Sequence, residues 1–139
     1  MRDVPYSDRC EDAARHFVRQ AAWPSIIVAI ASLAPPTVPF PLRLLALAPA
    51  LAVFGLSALL VFDALLFRLM GSHADDSAGG AAVDDILARM RLKPRLESTR
   101  TFEGRFGGST RILLLQRIAF FIFLATGLAA LWQAGWKIG

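Results

Sequence analysis

Cysteine occurs once in this chain, at Cys10, and histidine twice, at His16 and His73. A lone thiol supports neither an intramolecular disulfide nor a zinc cluster. The two histidines stand far apart, with no cysteine or carboxylate at ligand spacing, so no metal or haem site is expected. No internal repeat is visible. No nucleophile stands in a defensible arrangement with a base. The segment "GRFGGST", residues 104–110, resembles a phosphate loop only on the surface. It lacks the Walker spacing and the Lys-Ser/Thr ending, and no strand pattern precedes it. The acid pairs Asp75–Asp76 and Asp84–Asp85 fall in a polar loop and at a helix start. Their reading is structural. No enzymatic activity and no cofactor are expected.

What the chain has in abundance is apolar surface. Hydrophobic residues make up 55% of the 139 residues, and the mean hydropathy is +0.51. Both values are high for a soluble domain. The length suits a single folding unit, so residues 1–139 are read as one membrane domain. The net charge of +4 could suggest nucleic acid. The basic residues, however, lie between apolar tracts and form no single soluble face, so no nucleic-acid partner is expected. The richness in Ala, Leu, Arg and Gly is of a bacterial type.

Three charge-poor tracts organise the chain as an all-α integral membrane protein with three transmembrane helices. A span needs roughly 20 mostly apolar residues. The second tract, over 44–69, and the third, over 111–136, meet that requirement plainly. The first is expected over 18–34, about 25 Å long, because Pro35, Pro36, Pro39 and Pro41 must end a helix there. Pro24 falls near its start, where proline is tolerated. Pro49 lies deep in the second span, where a kink is more plausible than a break. The first tract has a rival reading as a cleaved signal sequence, since Ser32 and Ala34 fit the small-residue pattern. Pro35 would then follow the cut, which disfavours cleavage.

Two amphipathic segments accompany the spans. Residues 1–17 read as an interfacial helix, with Cys10, Ala13, Ala14, Phe17, Val18 and Ala21 on one face. Asp8 and Glu11 have capping-box spacing, and Glu11 and Arg15 stand four apart. The 71–110 segment reads as a loop that opens with a mobile polar stretch, 71–81. A short helix over 83–92 follows, with Val83, Ile86, Leu87 and Met90 on its apolar face. Pro94 stops it. Its basic neighbours Arg89, Arg91, Lys93 and Arg95 are expected to contact anionic lipid. Gly107–Gly108 reads as a stop, with Ser109 or Thr110 capping the third span.

Orientation follows from the arginines. They crowd the amino-terminal arm and the 71–110 loop, whereas the proline-rich turn has Arg43 and the carboxyl end Lys137. Basic flanks stay cytoplasmic. The amino terminus and the loop are therefore expected inside the cell (inner) membrane, and the carboxyl end outside. Trp132 and Trp136 suit an aromatic belt at the far end.

One carboxylate, Asp63, interrupts the second tract. It lies five residues before Arg68, about 7 Å below the expected boundary. Arg117 lies six residues after Arg111, about 9 Å below the same boundary. The spacing predicts an Asp63–Arg117 pair across antiparallel helices, with Gln116 nearby. Small residues spaced by four, such as Ala21, Ser25 and Ala29, permit close helix contact within one chain or in a homo-oligomer. The functional expectation is an accessory or structural subunit, or assembly factor, of a membrane complex. The alternative is a small oligomeric transporter or holin-like pore.

Overall fold

The computed structural model describes residues 5–33, 40–91 and 101–135. Those residues form four helices and no strand: α1 (Tyr6–Ser32), α2 (Phe40–Gly71), α3 (Asp76–Arg89) and α4 (Phe102–Gly135). The central element is α2, which packs against the other three, and α1 also touches α4. Two of the helices are long and apolar enough to cross a membrane, α2 over Arg43–Gly71 and α4 over Phe102–Gln133. The third expected span, 18–34, is not among them, and its last residue lies outside the described residues.

In α1 the buried residues are Cys10, Ala13, Ala14, Phe17, Ala21, Pro24 and Val28, spaced by three or four. That spacing is a single helical stripe. The helix runs unbroken through Pro24. The expected division into an interfacial helix 1–17 and a separate span is therefore corrected to one continuous rod. The reason lies in α2, which continues past Arg68 with Phe67 and Met70 fully buried. The first half of α1 covers that end, so the stripe meets protein instead of lipid or water. Val18, expected on the stripe, is exposed. The capping box is absent: the N-cap is Pro5, with no side-chain cap. Glu11 and Arg15 do pair.

The third and fourth helices also begin earlier than expected. The 71–81 stretch is not simply a polar loop, because α3 starts at Asp76, capped by the Asp75 carboxylate accepting from the Ala78 N–H at 2.8 Å. It ends at Arg89. Val83 and Leu87 are buried against the bundle, while Met90 is exposed. Gly79 explains how α3 docks. A Cβ there would lie 2.8 Å from the Met70 carbonyl oxygen, 3.0 Å from its Cα and 3.0 Å from the Tyr6 hydroxyl. Backbone cannot yield as a flexible side chain does. Gly79→Ala is expected to cost about 1–3 kcal/mol through overpacking. The check is thermal unfolding in detergent together with proteolysis at α3. An unchanged midpoint would refute the close contact.

The start of α4 is at Phe102, nine residues before the expected span, and Gly107–Gly108 does not stop it. The Phe102 N–H donates to the Asp76 carboxylate at 2.9 Å. An acid from α3 thus satisfies the first N–H of α4, while the adjoining Thr101 Oγ1 accepts from the Gly104 N–H at 3.4 Å. The same carboxylate receives the Tyr6 hydroxyl at 3.4 Å, tying α1 to both.

Side-chain pairs set the register. Phe17 stacks on Phe67 at 5.7 Å between ring centroids, and Ser25 meets Ser57 at 2.7 Å, so α1 and α2 are antiparallel. Asp63 meets Ser109 at 2.7 Å and Ser57 meets Gln116 at 2.6 Å, so α2 and α4 are antiparallel too. Two apolar clusters result. One gathers α1, α2, α3 and α4 around Phe17, Phe67 and Met70. The other joins Val28, Val53, Phe120 and Phe123.

Candidate functional site

The polar side chains concentrate between the two clusters and beside α3. Gln116 is fully buried. Its amide nitrogen donates to Ser57 Oγ at 2.6 Å and to the Ala21 carbonyl at 3.4 Å. Ser57 accepts from Ser25 and donates to the Val53 carbonyl at 2.6 Å. One amide and two hydroxyls thereby join α1, α2 and α4 at a single level. Gln116 Oε1 is buried with no partner.

Nearer α3, Asp63 receives the Ser109 hydroxyl at 2.7 Å. Still nearer, Arg105 Nη2 donates to Asp84 at 2.6 Å, with side chains only 10% and 15% exposed. Arg105 Nε and Asp84 Oδ2 are buried without partners. This is the most desolvated ion pair among the described residues.

At the expected Asp63–Arg117 pair, the contacts shown are with other residues. Asp63 meets Ser109, and Arg117 reaches Gln20 Oε1 at 3.4 Å. Arg117 lies eight residues beyond Ser109, about 12 Å further along α4. The helix boundary also differs: α4 begins at Phe102, nine residues before Arg111. Gln116 does enter a helix-joining contact, with Ser57 in place of Asp63. Of the expected lipid contacts, Arg89 is exposed and pairs with Asp85 at 2.8 Å, and Arg91 is exposed. Lys93 and Arg95 lie outside the described residues. Trp132 is exposed, and Trp136 lies outside the described residues.

Sequence reasoning missed Ser57 and the Asp84–Arg105 pair, and it read Ser109 or Thr110 as a cap, whereas both lie inside α4. A signal existed for Ser57, a hydroxyl alone inside an apolar tract. Asp84–Arg105 spans 21 residues and carries no local signal.

The end of the bundle that holds α3 has its own electrostatics. Burial pushes the Cys10 thiol up, and burial together with Cys10 and Asp76 pushes the Tyr6 phenol well above its ordinary range. The Ser77 hydroxyl and the Ala78 N–H hold Asp75 below the usual carboxylate range. A depressed carboxylate stabilises above its unfolded value, so the α3 cap weakens as acid protonates Asp75. Among the described residues, no group of three or more His, Cys, Asp or Glu side chains could hold a metal ion. Compared with known protein families, curated proteins and solved structures, the chain matches none.

Proposed function

We propose that the chain is a multi-pass protein of the cell (inner) membrane that serves as an accessory or structural subunit, or assembly factor, of a membrane complex. The observation that carries this reading is how exposure changes along α1. Before Gln20 its outward residues are mainly polar, including Asp8, Glu11, Asp12, Arg15, His16 and Arg19. Beyond it they are Trp23, Ile26, Ile27, Ile30 and Leu33. The neighbouring stretches of α2 and α4 expose Leu44, Leu47, Leu51, Phe121, Ile122 and Leu128 at the same end. An apolar patch of that extent suits lipid better than water. The other end is a small water-side headpiece built from all four helices.

The register supports a reading with three crossings. Cys10 lies against Gly71, the last residue of α2, so the amino end sits on the headpiece side. If α2 crosses, the chain between Tyr6 and Phe40 must traverse the same thickness. The arginine-rich headpiece is assigned to the cytoplasm and the end of α4 to the other side. A transporter or pore would want a polar stripe along the spans. Ser25, Ser57 and Gln116 there bond to other helices, and Ser32 and Thr126 bond to carbonyls of their own helix.

The test has two arms. Carbonate-washed membranes should retain the protein, and reporter fusions after Gly80 and after Gly139 should read opposite compartments. The same compartment for both would refute the three-crossing topology. Purification in mild detergent should yield a stoichiometric second protein. A lone chain that supports ion flux in liposomes would overturn the subunit reading in favour of a pore.

A further inference from the structure

The helices α1 and α4 run parallel, since each is antiparallel to α2. Phe17 meets Phe106 at 5.3 Å between ring centroids, and Trp23 stands edge-on to Phe120 at 5.1 Å. Between those contacts, on the outer surface, Arg117 Nη2 donates to Gln20 Oε1 at 3.4 Å. That bond uses one guanidinium N–H. It leaves the others, with the Gln20 amide nitrogen, available to an acceptor. Gln20 is also the level at which the outward residues of α1 turn from polar to apolar. Past it, Trp23 and Ile27 on α1 and Phe121 and Ile122 on α4 are exposed. Among the described residues no carboxylate pairs with Arg117. The helix α1 has no Asp or Glu after Asp12, and α4 has none after Glu103. The one acid of α2, Asp63, meets Ser109, about 12 Å nearer the headpiece along α4. Arg19, exposed next to Gln20, adds a second positive charge.

We propose that the outer groove between α1 and α4 binds the headgroup of one anionic phospholipid, of phosphatidylglycerol type, from the headpiece-side leaflet. The inference rests on the membrane reading above, which puts Gln20 and Arg117 at the depth of the headgroups. Phosphate oxygens accept from the Arg117 guanidinium and from the Gln20 amide nitrogen. A guanidinium presents planar, paired donors that match phosphate geometry, and such charge-assisted bonds are the strong ones. The Gln20 contact holds that guanidinium against α1, so donors from two helices converge on one anion. The acyl chains lie over Trp23, Phe121 and Ile122, and an indole just below the headgroups suits that place. Charge selects the headgroup. Two arginines, with no carboxylate on Arg117, attract a net negative lipid more strongly than a zwitterion.

Native mass spectrometry of the detergent-purified protein, titrated with phosphatidylglycerol or phosphatidylcholine of identical chains, tests the assignment. A one-to-one adduct with phosphatidylglycerol is expected, about tenfold tighter than with phosphatidylcholine, as one charge-assisted contact would give. Arg117→Gln should bring the two lipids to equal affinity. Arg117→Lys keeps the charge and should keep most of the preference, which a damaged fold would not. Arg111 is also exposed on α4, but it lies on a different face, about 120° around the helix from Arg117. Arg111→Gln removes the same charge and should leave the preference intact. A preference that survives Arg117→Gln, that falls as far in Arg111→Gln, or that is lost in Arg117→Lys overturns the proposal. Release of the chain from carbonate-washed membranes would overturn the membrane reading itself. A membrane-retained chain that binds both lipids equally overturns the groove alone.

Discussion

Replacing Phe17 with alanine is expected to lower the stability of the detergent-solubilised protein by about 3–5 kcal/mol. Phe17 is fully buried. Its ring stacks on Phe67 at 5.7 Å and meets Phe106 at 5.3 Å, so one side chain joins α1, α2 and α4. Phe67 in turn meets Phe102 at 5.3 Å, which brings the start of α4 into the same cluster. The neighbours of Phe17 on its own helix are Ala13, Ala14 and Ala21. They are too short to fill the void, and the cavity adds to the lost transfer energy. Ile30→Ala removes a side chain that is 65% exposed and should cost far less. Chemical denaturation in detergent would measure both. Equal losses would show that the aromatic cluster does not organise the headpiece.

The second large effect concerns Asp84 and Arg105. Either one replaced alone by alanine leaves an uncompensated charge in a nearly dry site, at a cost of about 3–5 kcal/mol. Replacing both with apolar residues of similar size, Asp84→Leu with Arg105→Met, should recover most of that loss. Desolvation offsets much of the pair's attraction, and Asp84 Oδ2 and Arg105 Nε are buried without protein partners. A double-mutant cycle measures the coupling. If the two single losses simply add, the pair is not a unit. The contact holds α3 to α4, so the single variants should also expose α3 to protease before the rest of the chain.

Much of the helical architecture was legible from residue order alone. The three- and four-residue spacing of Cys10, Ala13, Ala14 and Phe17 predicts the buried stripe of α1 without reference to any partner. Apolar length does the same for α2 and α4, because a span is a property of consecutive residues. Proline's effect was also local: a kink over a break at Pro49 was expected, and α2 runs through it.

The partners and the boundaries were decided by tertiary structure. A lone Asp63 in an apolar tract announces a contact, but which residue answers it depends on how far α4 extends toward the headpiece. At that extended end Asp76, from a different helix, accepts from the Phe102 N–H, and Thr101 accepts from the Gly104 N–H. Without the Asp76 acceptor, "GRFGGST" reads as a break, since glycines disfavour an isolated helix. Gly79 likewise looked like part of a mobile loop, and only the Met70 carbonyl beside it shows a docking contact. Local spacing determines which faces of a helix are apolar, because it fixes the angle between residues. Depth and pairing arise from several helices sliding until packing and polar satisfaction agree, and no single segment contains that minimum.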